Sequence, residues 1–138
     1  MTVTIFHNPA CGTSRNTLAA IHESGVEPVV VEYLKAGWTK AQLQDLLGKL
    51  ALRPRDILRT KGALAAELGL TNPAASDDAI LDAMVANPVL VERPIVVSPK
   101  GAVLSRPSER VFEILDNVPA AFVKEDGERV LPGNAPRA

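Results

Sequence analysis

The 138-residue sequence contains a single cysteine, Cys11, so no intramolecular disulfide can form. This excludes a disulfide-stapled scaffold and a Cys-x-x-Cys dithiol shuttle, and it fits a reducing compartment. Charge of one sign is also lacking: 15 Lys and Arg stand against 16 Asp and Glu, a net charge of -1. Without a basic footprint, nucleic acid is not an expected partner. The longest apolar runs, at residues 29–31 and 95–97, are far too short to span a bilayer, so no membrane partner is expected. The first residues read as strand and carry no signal-peptide pattern. Together these absences place the protein in the cytoplasm. No internal repeat or domain boundary interrupts the chain, and a single domain over residues 1–130 is expected, followed by a flexible Pro/Gly/Ala-rich tail at 131–138. With 46% hydrophobic and 22% charged residues, a chain of this length buries an adequate core without a metal or disulfide staple.

Patterning along the chain predicts an α/β fold. Residues 2–6 alternate and are β-branched, which predicts a strand. Residues 7–12 carry turn residues without periodicity and read as a loop. Thr13 or Ser14 then caps a helix to about Ser24, with Leu18 and Ile21 buried and Gly25 ending it. Residues 28–33 form a valine-rich second strand, parallel to the first because one helix separates them. Helical segments follow. Thr39 and Gln42 have capping-box spacing before Leu43, Leu46, Leu47 and Leu50. Pro54 opens a short helix, residues 64–68 make another closed by Gly69, and Ser76 caps a third with Ile80, Leu81, Met84 and Val85 on one face. Asp77 and Asp78 suit the first turn of that helix through its dipole. Residues 95–98 and 102–105 flank a Pro-Lys-Gly turn and predict a β-hairpin, after which Pro107 and Ser108 open a last helix with Val111, Ile114 and Leu115 inside. The order β-α-β, helices, β-β-α is that of a thioredoxin-like mixed sheet with helices on both faces and a helical insertion near residues 39–90.

Cys11 follows the first strand and precedes the first helix. Backbone N–H groups at a helix N-terminus stabilise an anion, so its thiol pKa should fall. His7, four residues upstream, is either a plain loop residue or an imidazolium that assists the thiolate. Ser14 stands at Cys+3, where a dithiol enzyme carries its resolving cysteine, and Arg15 adds positive potential. His22 falls mid-helix and reads as a surface residue. Any adduct on Cys11 must then be resolved by a thiol from outside the chain. A tyrosine-phosphatase loop is disfavoured because Thr17 stands where that design needs Arg.

A thiolate that attacks an oxyanion needs fixed cations around the oxygens, and arginine suits best. Arg59, Arg93 and Arg106 stand at element junctions. In a thioredoxin-like fold the residue before the third strand's proline faces the first helix. That proline is typically cis, which makes Pro94 the candidate and puts Arg93 beside Cys11.

The run His7-Asn8-Pro9-Ala10-Cys11-Gly12-Thr13-Ser14-Arg15-Asn16-Thr17-Leu18 resembles the active-site segment of the glutaredoxin-coupled arsenate reductases. The resemblance continues through Leu58-Arg59, Asp77-Asp78, residues 93–97, residues 106–109 and Lys124-Glu125-Asp126-Gly127. It implies Cys11 as the nucleophile toward arsenate and Arg59, Arg93 and Arg106 as the oxyanion ligands. It further implies His7, Ser14 and Arg15 as supports of the thiolate. Glutathione would be the reducing co-substrate and glutaredoxin the partner, with no bound cofactor and no metal. Two other readings compete. One is a monothiol glutaredoxin-like redox or iron–sulfur binding protein, matched superficially by Pro9-x-Cys11-Gly12-x-Ser14. The other is a fold relative acting on another substrate.

Overall fold

The computed structural model describes residues 1–132. Most of the expected C-terminal tail, from residue 133 on, lies outside the described residues. The chain forms two compact units, one of Met1–Glu32 with residues 93–132, the other of Tyr33–Glu92.

The first unit holds β1 (Thr4–His7), α1 (Gly12–Glu23), β2 (Val29–Glu32), β3 (Ile95–Ser98) and β4 (Gly101–Leu104). A 3-10 helix at Ser108–Ile114 and a small hairpin of β5 (Phe122–Val123) and β6 (Arg129–Val130) complete it. The sheet order is β2-β1-β3-β4, with β1 parallel to β2 and antiparallel to β3, and β3 antiparallel to β4. This is the expected thioredoxin-like mixed sheet. The parallel pair follows from the intervening helix, and the antiparallel pair from the tight turn at Pro99 and Lys100.

Register sets which side chains meet. Ile5, Val96 and Val103 stand opposite one another and so share a face of the sheet. They form the core with Ala20 and Ile21 of α1, with Val111, Phe112 and Ile114 of the 3-10 helix, and with Leu115 and Phe122. Phe112 and Phe122 meet edge to face at 5.8 Å. Each fully buried aliphatic here contributes roughly 1.5–3 kcal/mol. His7, two residues beyond Ile5, shares its face, which directs the imidazole toward α1.

Several boundaries differ from expectation. β1 runs to His7, which pairs with Glu32, so His7 ends a strand and is not a loop residue. Tyr33, expected as the end of β2, starts a helix. Cys11 is itself the N-cap of α1, in place of Thr13 or Ser14. Leu18 is only partly buried, while Thr17, Ala20 and Ile21 are buried. The helix ends as its Gly25 suggests: at φ 84, Gly25 donates to the His22 carbonyl and Val26 to that of Ile21.

The second unit is helical. It contains α2 (Tyr33–Ala36), α3 (Lys40–Leu50), a 3-10 turn at Pro54–Ile57, α4 (Leu64–Glu67) and α5 (Asp77–Ala86). Thr39 Oγ1 accepts the Gln42 N–H and Ser76 Oγ that of Ala79, each at 3.1 Å, so both caps stand where the sequence places them. Leu43, Leu46 and Leu47 of α3 are buried, as are Ile80, Leu81 and Met84 of α5; Val85, expected inside, is 38% exposed. Asp77 pairs with Arg53, and Asp78 with Lys40. Among the described residues no helix is long and apolar enough to cross a membrane.

Candidate active site

The site begins with the way Asn8 folds the loop after β1. Asn8 is buried, and its side-chain Oδ1 accepts the Ala10 N–H at 3.0 Å while its carbonyl accepts the Cys11 N–H at 3.0 Å. A short polar side chain that bonds its own loop is how Asn makes a tight turn. The turn leaves Cys11 extended at φ -98 and ψ 122, and the Cys11 carbonyl accepts the first helical bond, from Arg15 N–H at 3.0 Å. Sγ therefore lies where the first N–H groups of α1 are unmatched and the helix dipole is positive.

Burial alone would push the partly exposed Cys11 thiol up. The Ser14 backbone N–H, which stops short of a full capping bond, and the guanidinium groups of Arg93 and Arg106 outweigh it, and the thiol pKa is lowered. Arg106 Nη1 lies 4.0 Å from Sγ and is oriented by donating to the Arg93 carbonyl at 2.9 Å. Arg93 is 8% exposed, and among the described residues its Nε and Nη1 are buried without a hydrogen-bond partner. An arginine buried with open donors costs stability unless an anion comes to it. Those donors stand beside the Cys11 thiol. The Arg93–Pro94 and Arg106–Pro107 peptides that flank the β3–β4 hairpin are both cis.

His7 serves this site from behind. Its Nδ1 lies 2.6 Å from Ser14 Oγ, which also accepts the Asn8 N–H at 3.1 Å. Burial lowers the His7 pKa; Glu32 opposes this and Arg15 adds to it. This lowering works against the imidazolium considered from sequence. Ser14 Oγ bonds both the Asn8 backbone N–H and the His7 ring. Ser14, fully buried, thus ties the end of β1 and the loop to the third residue of α1.

Arg15 is exposed and makes a two-bond contact with Glu125, Nε to Oε2 at 3.0 Å and Nη2 to Oε1 at 2.7 Å, and its Nη1 donates to the Pro9 carbonyl at 2.9 Å. Glu125 and Asn8 are the residues that sequence reasoning did not single out. The sequence signals were present, an Asn-Pro pair in the loop and an acidic pair before Gly127, but neither names its partner. Arg59 belongs to the second unit, where Nη1 contacts Glu92 at 2.9 Å and the backbone N–H donates to Leu90 at 2.7 Å. His22 is exposed, 3.4 Å from Glu27.

A mixed sheet of this order, with a single cysteine of lowered pKa capping its first helix and two arginines beside it, defines a thioredoxin-like protein with one reactive-type thiol. The ArsC family model matches residues 6–114, and the chain belongs to the ArsC family. It is 53% identical to an arsenate reductase of Rhizobium meliloti (strain 1021), over 99% of both chains. It is 48% identical to an arsenate reductase of Escherichia coli (strain K12), over 94% of this chain and 92% of that one. The solved structure of an arsenate reductase from Vibrio cholerae superposes with a TM-score of 0.80 at 43% identity, covering 83% of this chain and 98% of that one.

Proposed function

We propose that this protein reduces arsenate to arsenite, with Cys11 as nucleophile and glutathione and glutaredoxin as the source of the second thiol. The observation that carries the reading is the buried Arg93 guanidinium, with open donors beside a thiol of lowered pKa. Arsenate brings the negative oxygens those donors lack, and As(V) accepts a thiolate and is reduced by it. Arg93 and Arg106 hold oxygens of the anion, and the end of α1 stabilises both the sulfur and the charge arriving at it. Arg59 enters the proposal by resemblance alone.

The electron count fixes what must come from outside. Arsenate plus two thiols gives arsenite, one disulfide and water, and this chain holds one thiol. Cys11 sulfur bonds to arsenic and one arsenate oxygen leaves as water. A glutathione thiolate then attacks the adduct, the S–As electron pair passes to arsenic, and arsenite departs. Glutaredoxin removes the glutathione left on Cys11. Such a cycle requires the reducing cytoplasm. His7, Ser14 and Arg15 support it by shaping the loop that presents the sulfur.

The test is an assay with arsenate, glutathione and glutaredoxin, in which each component is omitted in turn and arsenite is measured. Turnover should need all three. Turnover that persists without glutathione and glutaredoxin on another thiol donor would overturn the choice of reductant. Absence of turnover with all three present would overturn the substrate.

A further inference from the structure

All three side-chain nitrogens of Arg15 are engaged, two with the Glu125 carboxylate and one with the Pro9 carbonyl. The fork joins the loop that delivers Cys11 to the β5–β6 hairpin, 110 residues away in the chain. The same helix holds Glu125 a second time, because its backbone N–H donates to Asn16 Oδ1 at 2.9 Å. Gly12, adjacent to Cys11, leaves the space the carboxylate needs: a Cβ there would lie 3.0 Å from Glu125 Oε1. A carboxylate this near a thiolate opposes it unless a cation neutralises the charge, and Arg15 does so.

We infer that Glu125 is a positioning residue: by gripping two nitrogens of Arg15 it aims the third at Pro9 and keeps the Arg15 charge within reach of Cys11. Two parallel bonds to a planar guanidinium fix its plane, so the remaining nitrogen has one direction left to point. The Pro9 carbonyl lies two residues before Cys11, and holding it limits the freedom of the loop that carries the sulfur. Arg93 and Arg106, which flank the β3–β4 hairpin, bear directly on that sulfur, Arg15 from α1 interacts with its charge while held by Glu125 from β5–β6, and His7 from β1 stands behind Ser14. Arg15 is held by a carboxylate from the β5–β6 hairpin. The inference rests on Cys11 being the reacting thiolate, and it is independent of the identity of the substrate.

The experiment follows iodoacetamide alkylation of Cys11 against pH in the full chain, for wild type, Glu125→Ala, Arg15→Ala and the double variant. The wild-type midpoint should lie below the ordinary thiol value; an ordinary midpoint overturns the thiolate reading itself. Glu125→Ala should raise the midpoint and slow alkylation near pH 6 about three- to tenfold, the equivalent of about half to one pH unit. Arg15→Ala, which also leaves the carboxylate uncompensated, should raise the midpoint at least as much, and the double variant no more than Arg15→Ala, because both act through one contact. Glu125→Gln keeps one acceptor for Nη2 and should fall between. A lowered wild-type midpoint that Glu125→Ala leaves in place, or lowers further, overturns the role of Glu125 alone; the second result would mean that the carboxylate only cancels charge. Asn16→Ala, which cuts the other tether, serves as the structural control. If it raises the midpoint as much as Glu125→Ala does, attachment of the hairpin explains the effect and the inference fails.

Discussion

Replacing Arg93 by Met removes the guanidinium while filling much of its volume, and the structure makes unequal demands on activity and stability for this change. In the folded protein Arg93 gives Cys11 a charge-assisted contact and leaves Nε and Nη1 without partners. Its backbone carbonyl, which orients Arg106, is kept in the variant. Loss of a charge-assisted hydrogen bond to substrate and transition state costs about 1.5–3 kcal/mol, or roughly ten- to two-hundredfold in kcat/KM for arsenate. Stability should move little or upward, since the side chain removed is a buried cation with open donors, and such groups are retained for function at the expense of stability. The measurements are steady-state kinetics with saturating glutathione and glutaredoxin, together with thermal unfolding, where about 3 °C corresponds to 1 kcal/mol for a domain of this size. Unchanged kcat/KM would place the oxyanion socket elsewhere. A fall in Tm of many degrees would show that Arg93 is structural, and the reasoning from its unmatched nitrogens would fail.

Cys11→Ser should abolish arsenite production while circular dichroism and Tm stay near wild type; residual turnover above background would refute nucleophilic attack by this sulfur. Ser14→Ala leaves the Asn8 N–H and His7 Nδ1 buried without a partner, which should destabilise the protein by about 1–3 kcal/mol, seen as a lower midpoint of urea unfolding; an unchanged midpoint would show that the network holds nothing in place. For pH, the lowered Cys11 value makes the thiolate, and with it kcat/KM, fall as pH drops through that value. The stabilisation linked to it is complete above the ordinary thiol value and is lost over the same descent. His7, also lowered, binds its proton more readily unfolded, so its burial adds an acid-side loss of stability that begins near the ordinary imidazole value of 6.5. A profile of kcat/KM that already declines from the ordinary thiol value downward, about tenfold per pH unit through neutral pH, would contradict the first of these.

Much of the fold was legible because it depends on neighbours a few residues apart. The i, i+3, i+4 recurrence of leucines in α3, the Thr39 and Ser76 caps and the Gly25 terminus are each decided within about a turn of chain, and all stand as read. The β-α-β beginning placed Cys11 at the start of a helix without further help. The cap itself was misplaced for an instructive reason. Ser and Thr outrank Cys as N-caps when only local bonds count, but Ser14 Oγ is bonded to His7 and Asn8 and so is not a cap. The β5–β6 hairpin escaped notice because two-residue strands carry no readable period. Val85 and Leu18 were misjudged because periodicity identifies a face and leaves open how much of it is covered.

What sequence determined by itself was a single thiol on a helix N-terminus in an α/β frame, and hence the need for a second thiol from outside. Those conclusions follow from a residue count and from short-range backbone geometry. Which charges meet was decided only by the tertiary structure. Arg106 reaches Cys11 across 95 residues and Arg15 reaches Glu125 across 110, and nothing local to any of them names its partner. The same holds for Arg93, whose burial with open donors exists only once the chain has closed around it.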